Sequence, residues 1–571
     1  MSTQPTVGLR LRRLFDSSRG AALLYPTALV VLGTLLYSPL LDRHGFHSHE
    51  GAATYLRVLE YVREIRAGHW IPQSLPDLFS GAGYAFPRFY PPLGYAVAAA
   101  FTATTSDLVL GVHLSFLASV LLSSLTMYFF VGSVTRDRLI GLLGAIAYIS
   151  FPYRFQDVFV RSALAECWGF VWYPLILLGG WHLRQGSRIA WYLPIAIAGL
   201  VLSHSQMALY FALVCVLLLA SARPLPNRSM LLRCIWSVCI GLGLAAWFWI
   251  PQRYYLDTVW AGDPAAMWSN PEFVHSQRLN PVTLLTGMPL RNAMALSVGG
   301  VGILAPVLAL IAWALPLPSG QNKGLGESAR QLLIPWWAMV FFMVSPRIFL
   351  AILPDAFGYI QFPWRLLGLM GLLSASSFAL LIASWNSKRV TFAGLLAVCA
   401  LVLPSGVVPN TLPEWTSVAL ARELSGPRAE GGSTSLSEYL PRTIGDLRGD
   451  YEGTIDRVKR TIGRGPQASQ GLLVRSYVRK GSESEIAVEA DRAGAITLPL
   501  IYYDFYHARL RGGSELPVRD SSGFVALTLP PGEHLVVLSE EITRVQWVAL
   551  VVSLGAALIC LGLVVHKEAP L

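Results

Sequence analysis

The sequence predicts a mainly α-helical, polytopic membrane protein with a C-terminal, extracytoplasmic β-sandwich-like domain. Of its 571 residues, 54% are hydrophobic and only 14% are charged, whereas the surface of a soluble protein needs about a quarter charged residues. Apolar runs of bilayer-spanning length, about 20 residues, recur along the first part of the chain. After Gly471 they give way to alternating apolar and polar residues, the pattern of short β-strands.

The net charge of +10 is interpreted as a membrane-topology signal. Arg and Lys are scattered over short loops between apolar runs, the pattern that orients helices in membranes, so nucleic acid is excluded as a partner. No phosphate-binding glycine signature lies between a strand and a helix, which excludes a soluble-type nucleotide-dependent enzyme. The six cysteines lie in apolar runs without CxxC spacing and are interpreted as small buried hydrophobes.

About twelve apolar runs qualify as membrane spans, some only with tilt. They cover approximately residues 21–41, 109–132, 139–152, 164–182, 190–203, 206–222, 231–250, 298–316, 331–344, 365–384, 390–405 and 545–565. The first run follows several arginines and has no small-residue cleavage site after it, so we expect an uncleaved helix.

The basic turns between these runs all fall on the cytoplasmic side if the short apolar segment 90–104 does not cross the bilayer. Both termini are then cytoplasmic, and the protein is expected in the inner, cytoplasmic membrane. The segments that face outward are 42–108, 153–163, 203–206, 251–297, 345–364 and 406–544.

The chain divides into three predicted regions. Residues 1–405 form the transmembrane domain, whose first extracytoplasmic loop, 42–108, carries the chemistry. Residues 406–544 form the β-rich domain, with strands expected in LLVRSYVRK, SEIAVEA, AITLPLIYY and GFVALTLPPGEHLVVLS. Residues 545–571 form the last span and a short tail.

The first loop holds the leading catalytic candidate, Glu50. Helical spacing of apolar residues over 55–67 predicts a helix that lies on the membrane surface, with Arg57 on its charged face. Glu50 is expected to open this helix, where the positive end of the dipole favours an ionised carboxylate. Such a carboxylate can act as a general base for an incoming hydroxyl. The alternative is that Glu50 only begins a solvated helix.

Histidines and a further acid surround Glu50 in the loop. His47 and His49 are candidates to steady a phosphate or, with Glu50, to bind a divalent metal, and the alternative is that they are ordinary loop residues. Asp42 is a further candidate in the same stretch. No cofactor is certain from these residues.

Four ionisable residues stand where helices meet the outer surface: Arg161, Glu166, His204 and Arg365. Ionisable groups at or within membrane helices are costly, so function is the first hypothesis for each. For the arginines the alternative is that the guanidinium extends to lipid phosphate. For Arg161 with Glu166, an internal ion pair that fixes two helices is an equal alternative.

An ordered set of motifs resembles one known superfamily. The motifs are an acidic residue after the first helix, WIPQSLPDLFSGAGYAFPRFYPPLGY, FPYRFQDVFVRSALAE, LSHSQMALY, IQFPWRLL and SEYLP. Over most of the chain they resemble the bacterial GT-C membrane glycosyltransferases, in particular the group catalogued as "6-pyruvoyl-tetrahydropterin synthase related". Where that group typically has His-Asp this chain has His49-Glu50, and a second histidine about four residues later is missing.

The resemblance implies an inverting transferase that takes a sugar from a polyprenyl phosphate in the membrane lipid and passes it to an extracytoplasmic glycan, lipid or protein. It implies Glu50 as base and His49, Arg57, Arg161, His204 and Arg365 as donor or phosphate ligands. Asp42, His47, Glu166 and Tyr90, the last in the Pro-Pro-Leu element, are further candidates. Two alternatives stay open, a transporter or flippase of lipid-linked saccharides and a non-catalytic scaffold in envelope polysaccharide assembly.

Overall fold

The computed structural model describes residues 18–565 except 187–189, 264–270, 287–295, 315–320, 354–359, 386, 403–410 and 426–436. The predicted boundary at 405/406 and the tail 566–571 therefore lie outside the described residues. Within them, a mostly helical region precedes a β-rich region and a last apolar helix, in agreement with the predicted fold class.

The helices of the first region pack together as a bundle. They are α1 Ser18–Leu36, α2 Ala53–Arg66, α3 Leu78–Gly81, α4 Phe86–Phe89, α5 Leu93–Thr105, α6 Leu108–Thr135, α7 Arg138–Ile149, α8 Pro152–Phe155, α9 Leu164–Arg184, α10 Tyr192–Ser221, α11 Arg228–Leu244, α12 Ala246–Tyr255, α13 Pro271–Ser276, α14 Pro281–Thr286, α15 Gly299–Ala314, α16 Gln321–Val344, α17 Pro346–Leu350, α18 Leu367–Ser384 and α19 Lys388–Val402. The second region adds α20 Ser417–Ser425, α21 Tyr451–Gly463 and α22 Arg544–Val565.

Not every predicted span is a long apolar helix. Among the described residues, four helices are long and apolar enough to cross a membrane, or five if the pair formed by Arg228–Leu244 and Ala246–Thr258, bent by 76°, counts as one span. Several other predicted runs correspond to shorter apolar helices, such as α7 and α15. The count of twelve spans stays a prediction.

Helix α5, which covers most of the doubtful segment 90–104, does not cross the bundle. Its 13 residues measure about 20 Å, less than the ~30 Å of a hydrocarbon core. The Oγ of Ser115 donates a hydrogen bond to the Gly94 carbonyl over 3.2 Å, and Gly111 packs on Thr102. Both ends of α5 therefore lie beside the first turns of α6, as a re-entrant helix would.

Helix α10 folds back on itself at His204, whose backbone is not helical (φ −158°, ψ 90°). A straight helix of 30 residues would separate its ends by about 45 Å. Instead both ends lie at the C-terminal end of α9, where Gly179 packs on Leu193 and Arg184 donates to the Arg223 carbonyl over 2.5 Å. The helix is thus a hairpin, which agrees with the two predicted runs 190–203 and 206–222 and the turn between them.

Helix α2 confirms the predicted helix but corrects its surroundings. Its charged side chains at Arg57, Glu60 and Glu64 are buried, with 4%, 1% and 3% of their surface exposed. They are not solvated at a membrane surface, because segment 71–89 and the β-rich region cover this face and supply partners for the charges. The helix also begins at Ala53, so Glu50 precedes its first turn rather than opening it.

The β-rich region contains two antiparallel sheets that share a hydrophobic core. The strands are β1 Gln467–Ala468, β2 Leu472–Lys480, β3 Glu483–Ala490, β4 Gly494–Ile501, β5 Tyr506–Leu510, β6 Glu515–Leu516, β7 Val518–Ser521, β8 Phe524–Leu529 and β9 Gly532–Glu540. One sheet has the order β1-β4-β8-β7 and the other β2-β3-β9-β5-β6. The four predicted alternating stretches correspond to β2, β3, β4, and β8 with β9. Strand β3 buries every second side chain, whereas the second half of β4 is buried on both faces.

This region docks on segment 71–89 of the first loop. Arg88, whose side chain is 1% exposed, makes a two-pronged ion pair with Asp504, at 2.9 and 3.3 Å, and its guanidinium lies 3.8 Å from the centre of the Tyr255 ring. The Ile501 N–H donates to the Ala82 carbonyl over 3.0 Å. The two regions are therefore joined by main-chain and charged contacts directly above the bundle.

Candidate functional site

Glu50 lies in a tight turn that is tied to the bundle. Gly51 follows it with a left-handed backbone (φ +53°), where a glycine is favoured, and the His49 N–H donates to the Val160 carbonyl over 2.8 Å. One carboxylate oxygen of Glu50 is 3.0 Å from the Arg57 guanidinium. The Glu50 side chain is 29% exposed and that of Arg57 only 5%, so a buried cation holds a carboxylate that still reaches an open space.

Aromatic rings fix the orientation of Arg57. The guanidinium lies 4.4 Å from the centre of the Phe86 ring and donates to the Tyr95 hydroxyl over 3.3 Å. Tyr90 stacks on Phe86 at 4.8 Å and keeps part of its surface accessible. Arg57, predicted to bind the donor phosphate, is thus neutralised by Glu50 and positions it, while Tyr90 lines the same space.

Arg161 is the centre of a buried polar cluster beneath this turn. It contacts Asp157 and Glu166, the latter at 2.7 Å, and donates to the Tyr153 hydroxyl over 2.7 Å, which in turn donates to Glu166 over 2.8 Å. The guanidinium also lies 4.8 Å from the centre of the Trp364 ring. Of the two sequence interpretations, the internal ion pair between Arg161 and Glu166 is present, and its charges are not free.

His204 and Arg365 meet at the tip of the α10 hairpin. His204 Nδ1 accepts the Met207 N–H over 3.2 Å and so caps the second arm. Arg365 donates to the Gln206 side-chain oxygen over 3.2 Å. Among the described residues no carboxylate lies within ion-pair distance of Arg365, and the buried Nε of Arg365 and Nε2 of Gln206 have no hydrogen-bond partner. Spare donors beside a helix N-terminus suit an anion.

A carboxylate that the sequence reasoning did not select completes the site. Burial raises the pKa of Glu438 to about 6, although a hydrogen bond with Tyr439 and the charges of Arg365 and Arg57 act to lower it and the charge of Glu50 raises it further. Glu438 keeps part of its surface accessible while protein surrounds it, as expected for a side chain that lines a crevice. The only sequence signal for Glu438 was its place in the motif SEYLP.

Arg365 connects the two polar clusters. Its charge acts on Glu438 and Tyr90 on the side of the first loop and on Glu166 and His204 within the bundle. Glu50, Arg57, Arg161, His204 and Arg365, far apart in sequence, therefore belong to one electrostatic neighbourhood at the end of the bundle that carries the first loop.

Three loop candidates lie away from this neighbourhood or point outward. Asp42 is exposed and pairs with His44 at 2.8 Å, while the side chains of His47 and His49 are also exposed. In the part of the chain that the structure describes, no three His, Cys, Asp or Glu side chains are grouped as metal ligands would be. The HxHE spacing therefore has no third protein ligand there.

An apolar cavity of about 890 Å³ begins beside the site. It starts next to Ser205 and Trp249, continues between both arms of α10 and helices α9, α11 and α16, and reaches Arg184 and Asn227 at the other end of the hairpin. Its walls are almost entirely hydrophobic side chains. A cavity of this size and lining fits a hydrocarbon chain.

No known protein family matches the sequence, and no curated protein matches it. Among solved structures, the chain is similar to the arabinofuranosyltransferase AftD from Mycobacteria, with 16% identity and a TM-score of 0.38 over 73% of this chain. The match spans 27% of that longer protein.

Proposed function

We propose that this chain is an inverting membrane glycosyltransferase of the GT-C type. It transfers a sugar from a polyprenyl-phosphate donor in the inner membrane to an extracytoplasmic acceptor. The observation that carries the proposal is Arg365, a cation without a carboxylate partner among the described residues. It donates to Gln206 at the end of the hairpin where the apolar cavity begins, and its charge acts on the same Glu438 carboxyl group as that of Glu50. Transfer of a sugar from a lipid phosphate needs a cation beside the phosphate, an apolar cavity for the lipid and a carboxylate base for the attacking hydroxyl.

The donor phosphate is assigned to Arg365, the Gln206 amide and the N-terminal end of the second arm of α10. The unpartnered Nε of Arg365 and Nε2 of Gln206 are available to donate to phosphate oxygens. When the bond between the sugar C1 and the phosphate oxygen breaks, negative charge develops on the phosphate, and fixed donors stabilise that charge. His204 caps the same helix end and so positions it.

The acceptor hydroxyl attacks C1 from the opposite face and transfers its proton to Glu50. The new bond between the acceptor oxygen and C1 forms as the phosphate leaves, which inverts the configuration at C1. Arg57 keeps Glu50 oriented through the 3.0 Å contact with one carboxylate oxygen. The other oxygen, which is not paired with a cation among the described residues, accepts the proton. One positioned base of this kind contributes about 100- to 10,000-fold to a rate.

The apolar cavity is assigned to the polyprenyl tail. It begins at Ser205, next to His204, and extends along the hairpin, so a tail within it leaves the phosphate beside Arg365. A preformed cavity with apolar walls accommodates a long apolar chain without exposing it to water. The β-rich region, docked above the site through Arg88 and Asp504, is assigned to acceptor selection.

The test is sugar transfer from labelled polyprenyl-phosphate sugars in membranes that contain the chain. We expect Glu50→Gln to slow transfer by about 100- to 10,000-fold at equal expression. Glu452→Gln, on the exposed side of α21, is the matched control and should leave the rate unchanged. A Glu50→Gln rate close to wild type would remove Glu50 as base, and lipid-sugar transport without transfer would favour the transporter.

A further inference from the structure

The segment Ser437–Pro441 reaches the site from the C-terminal part of the chain and is held there by Tyr439. The Tyr439 ring stacks on Phe89 at 5.4 Å and lies 5.9 Å from Tyr84. Its N–H donates to the Tyr84 hydroxyl over 3.1 Å, and its carbonyl accepts the Tyr503 hydroxyl over 3.0 Å. Tyr439 is thus fixed both to the first loop and to the β-rich region.

The residues after Tyr439 are fixed as well. The Leu440 carbonyl accepts the Trp260 N–H over 3.1 Å, and Pro441 forms a β-bridge with Val259. Because the main chain is held on both sides of Tyr439, the preceding side chain, Glu438, has a defined direction. Such anchoring is what a substrate-binding group requires.

Glu438 is directed to the same crevice as Glu50. The ring of the next residue, Tyr439, lies 6.3 Å from the Phe86 ring, and Phe86 in turn lies under the Arg57 guanidinium at 4.4 Å. Glu438 therefore lies beside the pair of Arg57 and Glu50, in agreement with the action of both charges on its carboxyl group. Among the described residues it has no ion-pair partner within 4.0 Å, and the nearby Arg57 is paired with Glu50 at 3.0 Å. Its carboxyl group has a hydrogen bond with Tyr439, and because a carboxylate offers about four acceptor positions, others are available to a ligand.

We propose that Glu438 is a substrate-binding carboxylate, which accepts hydrogen bonds from sugar hydroxyl groups beside the reacting centre. The binding site is then composite, with Glu50 from the first loop and Glu438 from the segment before the β-rich region. This inference rests on the proposed transferase function. The hydroxyl groups belong either to the transferred sugar or to the acceptor, and the chemistry of recognition is the same for both.

The experiment pairs Glu438→Gln with deoxy-sugar substrates, using a donor and an acceptor on which the wild-type chain is active. A hydroxyl group bound to a carboxylate contributes about 10- to 100-fold to kcat/KM. We expect removal of that hydroxyl to reduce kcat/KM by this factor in the wild type and by less than about threefold in Glu438→Gln. The donor and acceptor series show which sugar is bound.

A purely structural Glu438, one that only balances the charge of Arg365, would not produce this result. In that case Glu438→Gln would reduce kcat/KM equally for every deoxy analogue, and the inference would be wrong. Glu438→Asp should restore most of the discrimination, and Glu452→Gln should leave it intact. If wild-type membranes transfer no sugar at all, the proposed function fails. Active membranes in which Glu438→Gln discriminates normally refute this inference alone.

Discussion

The ion pair between Arg88 and Asp504 should control how firmly the β-rich region docks on the first loop. Arg88 is 1% exposed, and Asp504 is 35% exposed. In Asp504→Ala the buried guanidinium loses its carboxylate, a change that costs about 3–5 kcal/mol for a fully buried pair. Since solvent screens the exposed part of Asp504, we expect the docking free energy to fall by about 2–4 kcal/mol.

Hydrogen exchange of the Ile501 amide measures this loss, because its N–H donates to Ala82 across the interface. A loss of about 2–4 kcal/mol corresponds to roughly 30- to 800-fold faster exchange through local opening. The double variant Arg88→Met with Asp504→Ala buries no charge and should exchange much closer to the wild type. Asp491→Ala, in an exposed turn, is the control.

An unchanged Ile501 exchange rate in Asp504→Ala would show that the ion pair does not hold the two regions together. Faster exchange in the double variant than in the single one would show that the two side chains contribute independently, and that the charge pair does not couple the two regions.

Two further results are expected. Ala212→Trp places a large side chain in the apolar cavity. In steady-state kinetics it should raise KM for long-chain polyprenyl donors at least about tenfold and affect short-chain donors less. Equal effects on both donors would contradict the assignment of the cavity to the polyprenyl tail. Burial raises the pKa of Glu540 to about 7, where it accepts a hydrogen bond from Ser74. Because this folded value exceeds the ordinary one, the protonated carboxyl stabilises docking fully below about pH 4.5, and this contribution, at most about 3 kcal/mol, is lost as pH rises through 7. The Ile501 amide, corrected for intrinsic exchange, should therefore open more readily at pH 8 than at pH 5, and Glu540→Gln should flatten this dependence.

The sequence predicted the parts of the fold that depend on local patterns. Apolar runs identified the helices of the bundle because a helix surrounded by lipid or other helices must be apolar on every side. Alternation identified the strands because a sheet with one buried face alternates buried and exposed side chains, as β3 does. Length alone indicated that α5 is re-entrant.

The covering of α2 could not be predicted in this way. Its charged face has the pattern of a solvated helix, yet Glu60 contacts Arg63 at 3.1 Å and its carboxylate accepts the Asp77 N–H over 2.8 Å. Charges that are satisfied by distant segments look the same in sequence as charges satisfied by water.

The site shows the same distinction between local and long-range information. Glu50, His204 and Arg365 could be chosen because each is an ionisable residue beside an apolar run, a local signal. Asp157 gave no such signal because it lies in the short helical segment Gln156–Val160, among aromatic residues, and only the folded chain shows its contact with Arg161. Glu438 was missed because its partners lie hundreds of residues away and only the folded chain brings them together.

The position of segment 71–89 joins docking and site geometry in one structure. Arg88, which holds the β-rich region, lies two residues after Phe86, whose ring supports the guanidinium of Arg57. Tyr439, next to Glu438, stacks on Phe89 of the same short helix α4. Any opening of the interface therefore disturbs the supports of both carboxylates, Glu50 through Arg57 and Glu438 through Tyr439. A buried, charged interface is costly to assemble. Here the same interface orders Glu50 and Glu438, the groups on which the proposed transfer depends.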